Sequence, residues 1–458
     1  MARAKKEAAL TPEERLQAAL VPDWEWPYKL PGNWCWTTVG AINQYVGISA
    51  DPTKAKNKTF ELYSVPSSAD NYPEIVLGAD IGSTKQSVKK GDVLLCKINP
   101  RINRVWKVSK YTDHSLLASS EWIVIRNSGL ISNYLMWCFR SPYFRGYMLS
   151  NVSGVGGSLM RAQPKFVQGY PVPVPPLAEQ QRIVDRIEIL FAKIDEAKEK
   201  AQAVVDSFET RKAAILHKAF TGELTAKWRE EHNISKTTWG EKKWGDFLQS
   251  IEAGKNWSAE GRPPEGTEFG VVKVSAVTWG EFDELESKTC VVAEQWNSKT
   301  QIHKGDFLFS RANTLQLVGN CVIVRNISKR LMLSDKILRF KFDEIAHPRF
   351  VLYFTRSRIY REQVEQLASG NQDGMRNISQ KNLKLVSFPI PTVVEQIEII
   401  SILDRAFAKE QQTKEAAEIV LNQIELMKKS ILARAFRGEL GTNDPSEESA
   451  VELLKQIF

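Results

Sequence analysis

The sequence lacks the cysteine pattern of a disulfide framework or of a zinc site. Its 458 residues include five cysteines, which are scattered singly and never form C-x-x-C: Cys35, Cys96, Cys138, Cys290 and Cys321. An odd count without a ligand-like spacing argues against both kinds of cross-link. We therefore expect buried thiols in a reducing compartment.

Long hydrophobic runs are absent as well, because no stretch of about 18 apolar residues occurs. The chain starts with a charged segment, Met1 to Glu7, and no apolar stretch of a secretory signal follows it. These two features predict a cytoplasmic protein that does not span a membrane.

Catalytic motifs are missing too. The five histidines are dispersed, and neither H-E-x-x-H nor G-x-S-x-G nor the P-loop pattern occurs. Asn99-Pro100-Arg101 is not the Asn-Pro-Pro-aromatic tetrapeptide of an adenine methyltransferase. A binding protein is favoured, and two alternatives stay open: a self-contained methyltransferase or nuclease with an unrecognised site, and a coiled-coil scaffold without DNA function.

What the sequence does contain is a tandem repeat. Pro173 to Gln180 recurs as Pro389 to Gln396, and Leu216 to Leu224 recurs as Leu432 to Leu440, both at an offset of 216 residues. The same offset relates two shorter matches, Arg140-Ser141 to Arg356-Ser357 and Ser153-Gly154 to Ser369-Gly370. Farther upstream, Gly91-Asp92 matches Gly305-Asp306 at an offset of 214. The chain is thus a duplicated unit, each copy a variable globular part followed by a long helix.

Both helical segments carry heptad patterns of the kind that forms coiled coils. A proline cluster precedes each helix, and Gly222 and Gly438 stand at the left-handed cap positions that follow. From Ala178 to Phe220 the first helix would be about 63 Å long at about 1.5 Å per residue. The residues predicted to pair the helices are Ile183, Ile187, Leu190, Ala197, Ala201, Phe208, Ile399, Leu403, Ala417 and Ile424.

Both patterns are small or polar near the middle and bulky at the ends. An antiparallel pair within one chain is therefore favoured over an intermolecular coiled coil, since duplicated units tend to assemble with pseudo-two-fold symmetry.

Positive charge is concentrated in the globular parts. Residues 30–170 carry 16 Lys/Arg against 8 Asp/Glu, and residues 236–388 carry 23 against 18, whereas 171–235 and 389–458 are slightly acidic. Basic globular parts suit a phosphate backbone, and acidic helices suit protein partners.

Candidate DNA contacts follow equivalent predicted strands in the two copies. Arginine and lysine form paired hydrogen bonds with guanine, and asparagine does so with adenine, whereas the alternative is that these residues only form turns and surface hydrogen bonds. Glycine-rich loops, Ser153 to Ser158 and Ser369 to Gly374, precede two further arginines. The candidates are Lys97, Asn99, Arg101, Arg104, Arg161, Arg311, Asn313, Thr314, Arg376 and Asn377.

With these motifs, the chain resembles the specificity (S) subunits of type I restriction-modification systems. The resemblance is carried by the paired boundaries at Pro173 and Pro389, by the paired helix ends at Ala219 and Ala435, and by an opening Leu30-Pro-Gly-Asn-Trp-Cys-Trp36. It covers nearly the whole chain.

The resemblance implies an α+β fold in which two pseudo-two-fold-related, mixed α/β target-recognition domains are separated by two long antiparallel coiled-coil helices. Each domain would read one half of a split DNA site, and the helices would span the unread spacer. The segments predicted along the chain are an extension (1–28), the first recognition domain (29–175), the first spacer helix with a linker (176–235), the second recognition domain (236–391), the second spacer helix (392–440) and a tail (441–458).

The resemblance also implies partners. Two adenine methyltransferase subunits and the ATP-dependent restriction subunits would join this non-catalytic chain on double-stranded DNA. S-adenosylmethionine, ATP and Mg²⁺ are expected in those subunits, with no cofactor and no metal in this chain. The segment Thr221 to Trp228 resembles the place where the family varies the spacing.

Residues 1–28 are predicted to include a helix, because Thr11, Pro12 and Glu14 fit a capping box. Three alternatives stay open for this extension: packing on a methyltransferase subunit, packing on the C-terminal tail, and disorder.

Overall fold

The computed structural model describes residues 11–154, 160–372 and 375–458. The chain folds into two compact units: unit 1 joins Met1–Ala201 to Ile419–Phe458, and unit 2 is Gln202–Glu418. Each unit thus combines one globular part with portions of both long helical segments. The boundaries given above for the extension, the recognition domains, the spacer helices and the tail stay a prediction.

The long helical segments are Leu177–Asp206, Phe208–Phe220 and Val393–Ala435. The first segment is interrupted at Ser207, where a single helix was expected. The Ser207 hydroxyl bonds back to the carbonyl of Ala203 and approaches that of Val204 at 3.4 Å. A serine hydroxyl that bonds the preceding turn in this way bends a helix.

The helices pair in antiparallel fashion inside each unit, as expected. In unit 1, Lys428 bonds Asp195 and lies 5.1 Å from the ring centre of Phe191. In unit 2, Arg211 Nε donates to Glu410 Oε2 at 2.7 Å, and Lys414 lies over Phe208. Since later residues of one helix face earlier residues of the other in both units, the coiled-coil prediction is confirmed as an intramolecular pair.

The interface between the helices is narrower than the heptad pattern suggests. Leu190 is only half-buried, and Ala197 is exposed. Near the start of each helix two predicted positions of a heptad are buried, whereas toward the middle of the helix only one position per heptad is. The other eight predicted pairing residues are buried: Ile183, Ile187, Ala201, Phe208, Ile399, Leu403, Ala417 and Ile424.

The globular part of unit 1 is built from small sheets. A five-stranded sheet and a three-stranded sheet lie beside two two-stranded pairs, one of which joins Cys35–Thr38 to Pro171–Val174. The other strands are Ser49–Ala50, Thr59–Tyr63, Glu74–Leu77, Lys85–Ser87, Val93–Cys96, Val105–Lys107, Ser115–Ala118, Trp122–Ile125, Val152–Ser153 and Arg161–Ala162. The shorter helices are Pro12–Ala19, Val39–Ile42, Ser132–Arg140, Pro142–Ser150, Pro164–Val167 and Ala450–Ile457.

Unit 2 repeats this plan with two four-stranded sheets, a three-stranded sheet and the pair of Gly240–Lys243 with Ser387–Ile390. The other strands are Leu248–Ala253, Ala259–Glu260, Phe269–Val272, Ser287–Cys290, Phe307–Ser310, Ala312–Asn313, Cys321–Ile323, Arg330–Met332, Ile337–Phe342, Ser369–Gln372 and Met375–Asn377. The shorter helices are Ala226–Glu231, Trp244–Phe247, Pro348–Phe354, Arg358–Leu367 and Gln380–Leu383.

One glutamine in each unit fastens the globular part to the start of a long helix. Gln180 Oε1 accepts from the Ile131 amide at 2.9 Å, and its Nε2 donates to the Pro175 carbonyl at 3.0 Å. Gln396 repeats both bonds with His347 and Pro391, at 2.8 and 2.9 Å. The repeated Glu-Gln of the sequence is therefore buried polar structure rather than a surface motif.

A buried carboxylate precedes each glutamine. In unit 2, Glu395 is fully buried and accepts from Thr225 Oγ1 at 2.6 Å, from Arg229 Nη1 at 2.5 Å and from Trp239 Nε1 at 3.0 Å. The residues that follow Gly222, whose φ is +80°, therefore fold back onto the start of the other long helix.

Unit 1 contains an equivalent buried carboxylate, whose partners include C-terminal residues. Glu179 accepts from Thr442 Oγ1 at 2.7 Å and from Arg182 Nη2 at 2.8 Å, and Arg182 also bonds Glu447 at 2.7 Å. Burial raises the pKa of Glu179 above its usual value, although the bonds from Thr442 and Arg182 act against that rise.

The N-terminal helix Pro12–Ala19 has the predicted capping box at Thr11 and Glu14. It packs on the C-terminal helix Ala450–Ile457, and Leu16 and Leu454 belong to one buried cluster. Of the three alternatives for the extension, contact with the tail is the one this structure has, and residues 1–10 lie outside the described part.

All five cysteines are free and buried, as expected, and burial raises the pKa of Cys35 to about 12. Within the described residues, no helix combines the length and the apolar character needed to cross a bilayer.

Removing the Glu395 carboxylate should destabilise unit 2 strongly. Glu395→Ala leaves the Arg229 guanidinium, whose side chain is only 7% exposed, without its counter-charge. Breaking one side of a buried pair costs about 3–5 kcal/mol. Urea unfolding followed by tryptophan fluorescence measures this loss.

Glu398→Ala is the matched control on the same helix, since Glu398 lies 3.8 Å from an Arg405 that is 72% exposed. Its cost should stay below about 1 kcal/mol. Equal losses for the two variants would show that the buried pair is not what holds this end of unit 2.

Candidate nucleic-acid interface

The first candidate segment, residues 97–104, directly follows a buried strand of unit 1, Val93–Cys96. Lys97 continues the strand, because its N–H donates to the Glu121 carbonyl at 3.0 Å and its carbonyl accepts from the Ala162 N–H at 2.8 Å. The start of the segment is therefore fixed on both sides by backbone hydrogen bonds.

A tight turn follows. Asn99 and Asn103 both adopt left-handed backbone, with φ of +47° and +53°, on either side of the single turn Pro100–Ile102. Asparagine tolerates this conformation better than most residues. The Asn103 side chain donates to the Arg140 carbonyl at 3.1 Å, and Arg101 projects from the turn as an exposed side chain.

A short hairpin, Val152–Ser153 with Arg161–Ala162, lies against this turn. The Asn99 N–H donates to the Met160 carbonyl at 2.8 Å, and Arg161 forms an ion pair with Glu121 at 3.3 Å. The tip of the glycine-rich loop, residues 155–159, lies outside the described residues.

The second candidate segment, residues 311–314, is built in the same way in unit 2. The Arg311 carbonyl accepts from the Ile378 N–H at 2.9 Å, as that of Lys97 does from Ala162. Asn313 pairs with Arg376, and its Oδ1 accepts from the Thr314 N–H at 2.8 Å. Residues 373–374 of the second loop lie outside the described residues.

This likeness sets the correspondence of the two loops. Met160 is the counterpart of Arg376, and Arg161 is the counterpart of Asn377, because they hold the same places opposite Asn99 and Asn313. The two loop arginines are thus not equivalent, although the glycine-rich motifs before them are.

The structure brings the candidates of each unit together around one strand end and one hairpin. Arg101 and Asn377 are exposed, and the other eight are half-buried: Lys97, Asn99, Arg104, Arg161, Arg311, Asn313, Thr314 and Arg376. Their assignment to DNA stays a prediction.

Sequence reasoning missed a group of arginines beside each segment. Arg145 donates to the Arg101 carbonyl, and in unit 2 Arg361 donates to the Gln316 carbonyl at 3.3 Å. Burial lowers the pKa values of Arg140 and Arg356. The signal was present, because the offset of 216 relates Arg140 to Arg356 and Arg145 to Arg361.

Within the described residues, no group of three or more His, Cys, Asp or Glu side chains is arranged to hold a metal ion. The polar groups of the two segments are instead donors and amides, which suit hydrogen bonding to bases and phosphates.

Comparison with known proteins points to one family. Residues 236–422 match the family described as Type I restriction modification DNA specificity domain. The chain is also similar to the Type I restriction enzyme EcoKI specificity subunit of Escherichia coli strain K12, at 27% identity over 348 residues that cover 73% of each chain. Residues 236–422 therefore match the DNA specificity domain of this family, and over most of its length the chain is similar to specificity subunits of type I restriction enzymes.

Another similar specificity subunit is that of EcoEI from Escherichia coli, which is 24% identical over 85% of this chain and 80% of its own. Among solved structures, the HsdS subunit from Thermoanaerobacter tengcongensis is 21% identical with a TM-score of 0.68, covering 91% of this chain and 100% of that one. A chain from a type I R-M system, solved for its complex assembly and conformational transition, has a TM-score of 0.62 at 21% identity, covering 90% and 100%.

These similarities support a function in DNA sequence specificity rather than in catalysis. The two alternatives, a self-contained methyltransferase or nuclease and a scaffold without DNA function, are not favoured by these relatives.

The left-handed conformation of Asn99 can be tested by its effect on the stability of unit 1. Asn99→Ala should destabilise unit 1 by about 1 kcal/mol because alanine carries the cost of left-handed backbone. Asn99→Gly should keep the unfolding midpoint, since glycine adopts positive φ freely, while removing the amide. Equal stability of the two variants in urea unfolding would mean that the turn is not held as described.

Proposed function

We propose that this chain is a DNA specificity subunit that reads a bipartite site, one half with each unit. The recognition domains 29–175 and 236–391 would supply the readers, through residues 97–104 with Arg161 and through residues 311–314 with Arg376 and Asn377. The observation that supports the proposal is the construction repeated in both units, in which a buried strand ends in a segment of Lys, Arg and Asn pinned by a hairpin.

The chemistry of these segments fits the major groove. Lys97 and Arg311 occupy the same place in the two units, and Asn99 and Asn313 the next place but one. Arginine or lysine bonds guanine, and asparagine bonds adenine. Because the two units differ at their other positions, each would read a different sequence.

The net positive charge of both globular parts would supply affinity that is independent of sequence. Each phosphate neutralised by a Lys or Arg releases counterions, so binding should weaken steeply as salt rises.

The paired helices would set the spacer and dock the methyltransferase subunits. Their pairing leaves large apolar side chains uncovered on the described part of the second long helix. In unit 1 these are Ile419, Val420, Leu426 and Met427, with exposed fractions of 56, 40, 65 and 49%. A row of exposed apolar residues on a helix suits burial against a partner's helices.

Two adenine methyltransferase subunits and the restriction subunits would complete the assembly on double-stranded DNA. Those subunits would hold S-adenosylmethionine, ATP and Mg²⁺, and this chain would position them.

Arg311→Ala tests base reading. Losing a bidentate contact should cost about 1–3 kcal/mol on the cognate site and much less on random DNA. Lys288→Ala, which removes an exposed charge from the same unit outside the segment, is the control. Equal losses of Arg311→Ala on cognate and random DNA would mark a phosphate contact and count against reading by this residue.

Matched insertions in both long helices test the spacer. Seven residues added after Ala201 and seven after Glu418 preserve the heptad register and add about 10 Å of helix, or about three base pairs. The recognised halves should stay the same while the gap between them grows. An unchanged gap would refute the role of the helices as a ruler.

A further inference from the structure

Each unit contains a cavity between its globular part and its long helices. The first cavity, of about 530 Å³, lies in unit 1, and the second cavity, of about 660 Å³, lies in unit 2. Equivalent residues at an offset of 216 line both cavities. They are Arg140, Arg145, Phe191, Lys428 and Leu432 in the first cavity, and Arg356, Arg361, Phe407, Lys212 and Leu216 in the second.

Both linings are strongly basic. In the first cavity four Lys and Arg residues face one glutamate, Glu425, and in the second five face two glutamates, Glu209 and Glu281. The aromatic floor is repeated as well, because Lys428 lies 5.1 Å from the ring centre of Phe191 and Lys212 lies 5.9 Å from that of Phe407.

The arginines of the first cavity are bonded only to backbone carbonyls. Arg140 donates to the Val105 carbonyl at 3.2 and 2.7 Å, and Arg145 donates to that of Arg101. No carboxylate of the described residues lies within ion-pair distance of either one, and Arg145 Nε is buried without an acceptor.

The second cavity repeats the bonds to carbonyls but adds one carboxylate. Arg356 donates to the Gly280 carbonyl at 2.8 Å, and Arg361 donates to that of Gln316. Arg361 Nε lies 3.2 Å from Glu365, yet its Nη2 is buried without an acceptor. Carbonyl oxygens do not neutralise the charge of a guanidinium, and an anion in the cavity would do so.

The N-terminus of a helix borders each cavity. Helices Pro142–Ser150 and Arg358–Leu367 begin there, with Ser141 and Ser357 as their caps. The positive end of the helix dipole adds to the field of the arginines.

Both cavities adjoin the candidate DNA-reading segments. Ile102 and Asn103 of the first segment line the first cavity, with Ile102 exposed at its edge, and Arg145 holds the Arg101 carbonyl of the same turn. In unit 2, Arg361 holds the carbonyl of Gln316, two residues beyond Thr314. In unit 1 one guanidinium thus links the cavity to the segment, and in unit 2 the equivalent guanidinium reaches the turn that follows the segment.

We propose that each cavity binds a phosphate group of the DNA backbone, next to the bases that the same unit reads. This inference rests on the proposed bipartite reading. The paired N–H groups of arginine match a phosphate, and binding it would hold the reading segment against the groove. Arg145 and Arg361 would be the direct ligands, with Arg140 and Arg356 adding charge.

The test uses the complete methyltransferase complex and DNA that carries single neutral methylphosphonate linkages around each half-site. With the unaltered chain, one linkage beside each half should weaken binding about tenfold, which is typical of a charge-assisted contact. Arg361→Gln should abolish that penalty at the half read by unit 2 only, and Arg145→Gln at the other half only. Each variant should also lower the log–log salt slope of binding by about 0.9.

Lys54→Gln and Lys255→Gln are the controls, since they remove exposed charges from units 1 and 2 away from the cavities and should leave both penalties in place. Arg145→Lys and Arg361→Lys keep the charge if the glutamine variants fail to fold, and they should retain a reduced penalty.

Three outcomes would overturn the inference. The first is a methylphosphonate penalty that persists in the folded variants, and the second is an unaltered chain without such a penalty at either half. The third is a variant that weakens assembly with the methyltransferase subunits while its salt slope is unchanged, which would assign the cavities to a protein carboxylate. Failure of the unaltered complex to select any bipartite site would instead refute the proposed function.

Discussion

A glutamate buried in the first turn of each long helix holds the rest of the structure in place. Glu179 and Glu395 are fully buried, and each accepts hydrogen bonds from a threonine beyond the end of the other long helical segment, Thr442 or Thr225. Burying a carboxylate is costly unless several donors surround it, so this site exists only when the helix start and the returning chain meet. The adjacent glutamine then ties the globular part to the same turn.

The duplication uses this solution twice with different parts of the chain. In unit 2 the segment that follows Gly222 supplies the donors to Glu395, which are Thr225, Arg229 and Trp239. In unit 1 the C-terminal residues supply the donor Thr442 to Glu179, and the N-terminal strand region packs beside them. Gly438 shows how close this packing is, because a Cβ on it would lie 2.4 Å from Pro31. The two ends of the chain thus do for unit 1 what one continuous linker does for unit 2.

The sequence predicts the features that leave a repeat or a short motif in it. The offset of 216 residues, the heptads and the capping box at Thr11 predict the duplicated architecture, the antiparallel helices and the N-terminal helix. The interruption at Ser207 and the exposure of Ala197 depend on local hydrogen bonding and on how much of a helix one partner covers, which heptad spacing does not describe.

In the candidate interface, too, some features could be predicted from the sequence and others depend on the folded structure. Lys97 and Arg311 could be aligned because each follows a Gly-Asp turn and a buried strand. The offset of 216 also gives Asn377 as the counterpart of Arg161, but only the backbone hydrogen bonds between distant segments show that the two residues hold equivalent places. The role of the cavity arginines could not be predicted because it depends on the cavity that they line, although their spacing repeats in the sequence.

Mapping of N6-methyladenine tests the central claim most directly. The chain would be produced with its methyltransferase partner in a host free of methylation, once intact and once omitted. We predict a motif of two specified halves with a fixed unread gap, present only with this chain. Methylation of the same motif without the chain, or a contiguous motif without a gap, would contradict the claim that the two units each read half of the site.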